Sequence, residues 1–390
     1  MHPGPLLPTD NEKPYSFNKI FQELLKRSLQ KKENTLRLQM EEKIRYSAVD
    51  LFCGIGGLTH GLIKAGIPVN AGIDIDESCR YAYETNNRTR FMNIDVRDIP
   101  GEVILKLFPE GDIKVLAGCA PCQPFSKHTQ KIKNRQDDEK WGLLYSFMDL
   151  IDAIQPEIVS MENVTQIVYQ EVFKDFVKRL RSLEYCVFWK SVFCPDYGIP
   201  QTRTRLVLLA SRLGEIKLIP VTHPPTRYRT VRSAIGSLEP IKDGESSIKD
   251  PLHHSPTLSP INKERIRRST AGGTWRDWDK KLVSPCHTRS TGKTYCSVYA
   301  RMEWDKPAPT ITTQFYGFGT GRFGHPEQDR ALSIREGALL QTFPKSYKFF
   351  DNKNSLSIKA LGVHIGNAVP VRLGTVIGRS IIEHLRGNYE

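Results

Sequence analysis

The 390-residue sequence predicts an α/β fold, in which a mostly parallel sheet is joined by a second, smaller and irregular domain. Three observations predict this fold. Short apolar runs alternate with helical patterns from Tyr46 to Ala210, and polar residues follow several of these runs. The alternation stops over residues 212–325, where Pro, Ser, Thr, Arg and Gly accumulate. Helical patterns then return at Ser333–Gln341 and Val371–Leu385.

Six strands and four helices are predicted in the regular part, residues 46–211. Ligands of parallel sheets bind at the carboxyl ends of the strands, and we expect the polar residues considered below to lie there. The predicted strands are Tyr46–Phe52, Val69–Ile73, Phe91–Ile94, Val115–Gly118, Ile158–Met161 and Arg205–Ala210. The predicted helices are Leu58–Ala65, Glu77–Thr85, Leu143–Ile154 and Phe173–Leu183.

Residues 1–45 are charged and helix-prone, and they are predicted to form an N-terminal helical extension. Their apolar residues recur at helical spacing, which indicates a face that packs on the domain that follows. This stripe consists of Phe17, Ile20, Phe21, Leu24, Leu25 and Leu29.

The charge is unevenly distributed along the chain. The net charge is +13, with −2 over residues 46–210 and +8 over residues 211–330. This excess favours a polyanionic partner such as nucleic acid, although a basic soluble surface without a ligand has the same composition. No apolar run is long enough to predict a membrane span, and Met1–Asp10 lacks the layout of a signal peptide. We therefore expect a cytoplasmic protein whose eight cysteines are reduced.

A glycine-rich turn, Asp50–Gly57, joins the first predicted strand to the first helix. Glycines let the backbone approach a ligand closely. Asp74 ends the second strand about twenty residues later, where an acid can bind ribose hydroxyls. The pattern also fits a dinucleotide site, although Thr59 replaces the third glycine of that fingerprint, or a tight turn without a ligand.

Cys119 and Cys122 have the C-x-x-C spacing of redox pairs and zinc sites. No second pair occurs at zinc-site spacing. Pro121 and Pro124 flank Cys122, which indicates a rigid loop that presents this thiol. The pattern favours Cys122 as a catalytic nucleophile, with a structural or redox pair as the alternative. A thiol with a pKa near 8.5 needs activation by its surroundings.

Two further groups of polar residues border apolar strands. Glu162 follows one strand, where a carboxylate is costly unless it is solvated, paired or functional. Arg203 and Arg205 precede another strand, and alternation in an extended chain places them on one face, suited to a carbonyl or phosphate. Many strands end in an acid and many begin with solvated bases, so each signal alone is weak.

Aromatic residues lie among arginines in the irregular region. Such residues can stack on nucleic acid, but we favour a small core. They are Trp275, Trp278, Tyr295, Tyr299 and Trp304.

Together, these pieces resemble the cytosine-5 DNA methyltransferase family. The resemblance covers residues 46–385, and although each motif is short, their joint occurrence in the family's order is highly specific. The matching motifs are Asp50–Gly57, Pro121-Cys122-Gln123, Glu162-Asn163-Val164, Gln201–Arg205, Arg330–Pro344 and Gly366-Asn367-Ala368-Val369-Pro370.

The resemblance implies a role for each catalytic residue. Cys122 would be the thiolate that adds to carbon 6 of a cytosine flipped out of the duplex. Glu162 would contact the ring nitrogen N3 and the exocyclic amine, and supply a proton. Arg205 would hold the cytosine O2, with Arg203 nearby.

The resemblance also implies S-adenosylmethionine as the cofactor, bound across the strand ends, and no metal. The family's position for Asp74 is often Glu, and Ile75 is aliphatic where an aromatic residue is common. The implied cofactor residues are Phe52, Gly54, Ile55 and Gly57 of the turn, Asp74 and Ile75, Asp95 and Val96, and Asn367 and Ala368 of the last motif.

The resemblance implies four segments. Residues 1–45 are the extension, and 46–211, completed by 331–390, form the catalytic and cofactor-binding domain. Residues 212–325 correspond to the variable target-recognition domain. Residues 326–390 return to the catalytic domain and pack a C-terminal helix on it.

We expect a monomeric, prokaryotic-type enzyme that acts on duplex DNA and is paired with a restriction endonuclease. The related branch that methylates transfer RNA is the nearest alternative, but it usually has a shorter region between Arg205 and Arg330. A dinucleotide-dependent oxidoreductase and a non-catalytic DNA-binding protein are more distant alternatives, which Thr59 and the intact catalytic set argue against, respectively.

Overall fold

The computed structural model describes residues 44–121, 139–290, 292–351 and 357–389, together with three helical residues, Gln22, Leu25 and Lys26. Residues 1–45 and 46–390 are separate compact units. Most of the apolar stripe predicted in the first unit lies outside the described residues, as does Cys122.

The second unit is built on a seven-stranded sheet with the order β3-β2-β1-β4-β5-β7-β6. The first five strands are mutually parallel, whereas β7 is antiparallel to both β5 and β6. The predicted α/β fold with a mostly parallel sheet is therefore confirmed. The strands are β1 (Tyr46–Leu51), β2 (Val69–Asp74), β3 (Arg90–Asn93), β4 (Ile113–Gly118), β5 (Ile158–Asn163), β6 (Cys186–Phe193) and β7 (Thr204–Ser211).

Strand β6 was not among the predicted strands. It lies at the edge of the sheet and pairs only with β7 among the described strands. Trp189, Lys190 and Ser191 are all exposed, so the strand lacks the buried apolar run that marks β1 or β5. The antiparallel direction of β7 was not predicted either. The chain runs along β6 and then turns back into β7, so the direction of β7 cannot be predicted when β6 is missed.

Eleven α-helices are present in the described part of the second unit, most of them short. The helices are α1 (Gly57–Ala65), α2 (Arg80–Asn87), α3 (Gly101–Leu105), α4 (Glu139–Ile154), α5 (Glu171–Ser182), α6 (Val231–Ile235), α7 (Pro260–Arg267), α8 (Pro285–Thr288), α9 (Ile334–Leu340), α10 (Ile358–Asn367) and α11 (Val371–Tyr389).

Two apolar clusters cover the two faces of the sheet. Val49 faces a cluster that includes Phe147 of α4 and Phe176 of α5. Ala48, its neighbour in the strand, faces a cluster that includes Leu62 of α1 and Ile377 of α11. Successive strand residues point to opposite faces, so both faces of β1 are buried. Two of its buried residues, Ser47 and Asp50, are polar.

Helix α11 packs directly on α1. The contact is close because both helices present glycines: a Cβ at Gly61 would lie 2.4 Å from the Val371 carbonyl oxygen and 2.6 Å from Gly374. The stretch Ile358–Asn388 is long and apolar enough to cross a membrane by length and composition. However, it is interrupted between α10 and α11, and 67% of its apolar window is buried inside the fold.

The irregular region has a small apolar core of its own. Trp275 and Trp278 are buried in it together with Phe318, whereas Tyr295 is exposed. A larger cluster joins Ile235 of this region to Ile55 of the glycine-rich turn. The predicted boundaries of the target-recognition domain stay a prediction, because residues 46–390 form a single compact unit.

Candidate active site

The glycine-rich turn follows β1 and leads into α1. Phe52 adopts a left-handed conformation with φ 57°, which is rare for a bulky residue and marks local strain of the kind found at functional sites. Gly54 is also left-handed (φ 49°), and a Cβ there would meet no atom within 4 Å. The turn therefore leaves open space beside its backbone. Ile55, by contrast, is buried in the adjacent apolar cluster.

Asp74, at the end of β2, holds this turn. Its Oδ2 accepts a hydrogen bond of 2.8 Å from the Gly54 amide, and its Oδ1 accepts one of 2.9 Å from the Asp76 amide. Burial raises the pKa of the Asp74 carboxyl, although these two amide bonds oppose that effect. Each oxygen retains a second lone pair, so the carboxylate can still accept hydrogen bonds from a ligand.

The next residues of the predicted cofactor site surround Asp74. Ile75, beside the half-buried Asp74, is 66% exposed although its side chain is large and apolar. Asn93 fixes the Ile75 carbonyl through a 2.8 Å hydrogen bond. Asp95 pairs with Arg97, whose hydrogen bonds lower the pKa of the Asp95 carboxyl, and Val96 is buried.

The α10–α11 junction reaches the same edge of the sheet. The Val369 carbonyl oxygen would lie 2.3 Å from a Cβ at Gly57, and the Ala368 Cβ would lie 3.4 Å from it. Asn367, the last residue of α10, is exposed. The final predicted motif therefore adjoins the glycine-rich turn, although it is about three hundred residues away in the sequence.

A side-chain contact fastens α10 to the loop after β2. The Nε2 atom of His364 lies 3.0 Å from Asp76 Oδ2 and 3.1 Å from Ser78 Oγ. Asp76, Cys79 and His364 each offer one possible metal-ligand atom, and these three atoms lie within 4.8 Å of one another. Because the imidazole is already bonded to both Asp76 and Ser78, we interpret the group as a tether.

Glu162 and Arg205 meet at the edge of the sheet where β5 ends and β7 begins. Glu162 is only 2% exposed, and its Oε1 lies 3.3 Å from Arg205 Nε. The pair forms because β5 and β7 are antiparallel, with Glu162 opposite Val207 and Asn163 opposite Leu206. The amino end of β7 therefore shares an edge with the carboxyl ends of the parallel strands.

The segment after β4 lies beside Glu162. The Cys119 thiol donates to Glu162 Oε2 at 2.9 Å, and Asn163 Nδ2 donates to the Ala120 carbonyl at 3.2 Å. Pro121 is exposed and is the last described residue before the gap. Cys122, the predicted nucleophile, follows Pro121 in the sequence and lies outside the described residues.

Comparisons with known proteins assign the chain to a family. The family model for "C-5 cytosine-specific DNA methylase" matches residues 46–383. The chain belongs to this family. It is a DNA (cytosine-5) methyltransferase, as the sequence motifs predicted.

The relatives of this methyltransferase include bacterial enzymes that match over most of their length. It is 52% identical over 347 residues to the Type II methylase M.HgiDII of Herpetosiphon aurantiacus, covering 88% of this chain and 97% of that one. It is 27% identical over 353 residues to the Type II methyltransferase M.Sau96I of Staphylococcus aureus, covering 87% and 76%, respectively.

Solved structures support the same fold. A prophage-encoded DNA modification methyltransferase from E. coli matches with a TM-score of 0.67 and 22% identity, over 87% of this chain and 99% of that one. The Entamoeba histolytica methyltransferase EhMeth matches with a TM-score of 0.60 and 17% identity, over 87% and 99%. At these identities the likeness shows the Rossmann-like methyltransferase fold alone.

Arg203 of the methyltransferase is placed differently from Arg205. Its guanidinium is buried and donates to the carbonyl oxygens of Ile311, at 3.0 Å, and Gly366, at 3.4 Å. Burial lowers the pKa of Arg203 to about 10, and the nearby charge of Arg205 acts in the same direction. The side chain thus joins three distant parts of the chain beneath the site.

The contacts that several residues make in the methyltransferase site were not predicted from the sequence. Cys119 was considered only as half of a C-x-x-C pair, and Asn163 only as part of a motif. The His364–Asp76 tether was not predicted. Their common signal is position: Cys119 and Asn163 adjoin the ends of neighbouring parallel strands, and His364 precedes the last motif by two residues.

Proposed function

We propose that this methyltransferase transfers a methyl group from S-adenosylmethionine to carbon 5 of a flipped-out cytosine, at a specific sequence in duplex DNA, through a covalent Cys122 adduct. The observation that carries the proposal is the pairing of buried Glu162 with half-buried Arg205, beside the segment that leads into Cys122. An acid and a guanidinium in a water-poor site can stabilise charge far better than in water.

Nucleophilic addition explains the need for Cys122. Carbon 5 of cytosine is a poor nucleophile, and addition of a thiolate to carbon 6 makes it electron-rich. After the methyl group has been transferred to carbon 5, that carbon loses its proton and the Cys122 sulfur leaves carbon 6, which restores the aromatic ring. The thiol is regenerated, and one proton is released for each methyl group transferred.

Glu162 and Arg205 have complementary tasks in this proposal. Addition at carbon 6 builds negative charge on the ring, and a proton from Glu162 at N3 offsets it. Arg205, held 3.3 Å from Glu162, would donate to the O2 atom of the same ring. Arg203 is a positioning residue, because its guanidinium is already bonded to backbone carbonyls of Ile311 and Gly366.

The residues around Asp74 fit the proposed cofactor. Asp74 can accept hydrogen bonds from ribose hydroxyls, and the exposed face of Ile75 can pack against an adenine ring. The backbone at Gly54 is open to a ligand, since a Cβ there would meet no atom within 4 Å. When bound, S-adenosylmethionine supplies an electrophilic methyl group. Phe52, Gly57, Asp95, Val96, Asn367 and Ala368 line the same edge or adjoin it, whereas the Ile55 side chain is buried and can contribute only backbone atoms.

The burial of Glu162 supports the proposal that the target base is flipped. Glu162 is almost fully buried at the edge of the sheet, and the edge of a stacked, paired cytosine could not reach it. We therefore propose that the target nucleotide rotates out of the duplex, which costs a few kcal/mol of stacking and pairing.

We propose that residues 212–325 read the DNA sequence, because the excess positive charge lies there. Two segments of this region are the candidates, Arg265–Arg276, which begins in α7, and His287–Thr294, which begins in α8. The rings of Trp275 and His287 stack with their centroids 4.4 Å apart and so join the two segments. Arg265 is not a candidate base reader, since it is buried and donates to the Leu282 carbonyl.

The exposed cations of these segments remain as candidates for DNA contact. Arg267, Arg289 and Lys293 are exposed. Arg276 is exposed as well, but its guanidinium already donates to the Lys293 carbonyl. Replacing a base-contacting arginine should relax specificity at one position, whereas replacing a phosphate-contacting residue should weaken binding to all sequences. An alanine series across single-base variants of the site distinguishes the two.

The relatives named Type II suggest the biological setting. We propose that the enzyme protects its own cell's DNA from a restriction endonuclease of the same specificity, and that it acts in the cytoplasm as a monomer. The transfer-RNA alternative is less supported, because the family model describes DNA methylases and the similar bacterial relatives are named Type II methylases or methyltransferases. Methyl transfer from labelled cofactor to duplex DNA, compared with transfer RNA, separates these substrates.

A mechanism-based trap tests the proposal most directly. Mapping 5-methylcytosine in plasmid DNA after expression identifies the site, and an oligonucleotide with 5-fluorocytosine at that position should then form a stable covalent complex, because fluorine cannot leave as a proton does. Cys122→Ser should abolish the complex, whereas Cys119→Ser should largely spare it. A covalent complex that survives Cys122→Ser would end the assignment of the nucleophile.

A further inference from the structure

The thiol of Cys119 is the feature of the active site that the proposed reaction does not yet use. It donates to Glu162 Oε2 at 2.9 Å. The other carboxylate oxygen, Oε1, is buried and has no well-directed hydrogen bond from the described residues, although Arg205 Nε lies 3.3 Å away. Within the described part of the chain, Cys119 therefore makes the one directed hydrogen bond to this carboxylate.

The backbone fixes Cys119 in this position. Strands β4 and β5 are parallel neighbours, with Gly118 opposite Met161. Cys119, the residue that follows β4, therefore lies beside Glu162 of β5. The Cys119 amide donates to the Leu51 carbonyl at 3.3 Å, and Asn163 holds the Ala120 carbonyl. Both partners of the thiol–carboxylate contact are thus attached to the rigid end of the sheet.

The chemistry of a thiol suits this contact. A buried carboxylate oxygen without a donor is costly, and a low-dielectric environment strengthens the bond that satisfies it. An S–H group is a weak, uncharged donor. It can therefore orient the carboxyl group without adding a second positive charge, which would hinder protonation of an acid that must deliver a proton.

We propose that Cys119 is a positioning residue that fixes the rotation of the Glu162 carboxyl group: its hydrogen bond holds Oε2, which leaves Oε1 facing the charge of Arg205. The inference rests on the proposed role of Glu162 as the acid that meets the cytosine ring. It assigns the first cysteine of the C-x-x-C pair to orientation of that acid, rather than to redox chemistry or zinc binding.

The test compares Cys119→Ala, which lacks a donor, with Cys119→Ser, which keeps one. Single-turnover methylation of the mapped DNA site should slow about fivefold in Cys119→Ala, the equivalent of one hydrogen bond of ordinary net strength. The KM values for DNA and cofactor should stay within about twofold, because the lost bond orients a reacting group. Cys119→Ser should recover to within about twofold of the wild-type rate.

Cys186→Ala is the matched control, since Cys186 is an exposed cysteine on the edge strand β6, and its loss should leave the rate unchanged. If Cys119→Ala does not fold, Cys119→Val provides a second variant without a donor. Equal rates in the donor and non-donor variants would overturn the inference, as would a change confined to KM. Failure of the wild-type enzyme to form the 5-fluorocytosine complex would instead overturn the proposed function.

Discussion

We expect Asp50→Asn to gain stability relative to the wild type as the pH rises from about 5.5 to about 8. Asp50 is 1% exposed at the end of β1. Its Oδ2 accepts a 2.6 Å hydrogen bond from Thr59 Oγ1, but its Oδ1 is buried without a hydrogen-bond partner among the described residues. Burial outweighs the Thr59 bond and raises the pKa of Asp50 to about 7.

The magnitude follows from linkage between protonation and folding. The unfolded chain releases this proton near pH 3.9, whereas the folded protein retains it to about pH 7. Between these values the folded state binds more protons, so stability falls as the pH rises and levels off above about pH 7. The loss is about 1.4 kcal/mol per pH unit, or about 2 kcal/mol between pH 5.5 and 7. Asn cannot ionise and escapes this loss.

Urea denaturation of both proteins without cofactor, at the two pH values, measures the effect. The urea midpoint of Asp50→Asn should rise relative to that of the wild type at the higher pH. The other titratable groups are the same in both proteins, so their effects on the pH dependence of stability cancel in this comparison. Asp98→Asn, at an exposed position, is the control and should track the wild type. A midpoint difference that is the same at both pH values would refute the argument, whatever its absolute size.

Three further variants test other parts of the structure. Asp74→Ala should weaken cofactor binding by about 1.5–3 kcal/mol in calorimetry, and unchanged affinity in a folded variant would count against the ribose assignment. Gly61→Val should lower the melting temperature, because its Cβ would lie 2.4 Å from the Val371 carbonyl. Arg330→Met should cost about 3–5 kcal/mol by stranding the buried Glu336 carboxylate; a urea midpoint like the wild type's would contradict this.

Much of the sheet could be predicted from the sequence, because strands β1 to β5 are apolar runs followed by helical patterns. Strand β6 could not, since Trp189 and Lys190 are exposed and the strand has no buried run. The direction of β7 depends on β6, so the meeting of Glu162 and Arg205 at one edge was implied only by resemblance. Periodicity shows which residues are buried but not how strands are ordered.

The candidate site shows the same limit for side-chain direction. Arg265 and Arg267 are near neighbours in a basic segment, yet Arg265 points inward to the Leu282 carbonyl and Arg267 is exposed. Similarly, Arg203 is bonded to backbone carbonyls while Arg205 pairs with Glu162. Composition cannot distinguish such arginines, because packing decides which of them bond to backbone carbonyls inside the fold and which remain available to a ligand.

The antiparallel pairing of β5 and β7 bears on whether the enzyme can be split into two fragments that reassemble. Glu162 and Arg205 are held together by strand pairing. Between them in the sequence, the turn Leu183–Tyr185 joins α5 to β6 and contains the exposed residue Glu184, whose φ is 64°. Exposed turns of this kind tolerate cleavage and insertion. Two fragments separated at Glu184 would each carry one half of the catalytic pair, so methylation would require their reassembly. Fusing the fragments to two proteins that associate would make DNA methylation a recorder of that association.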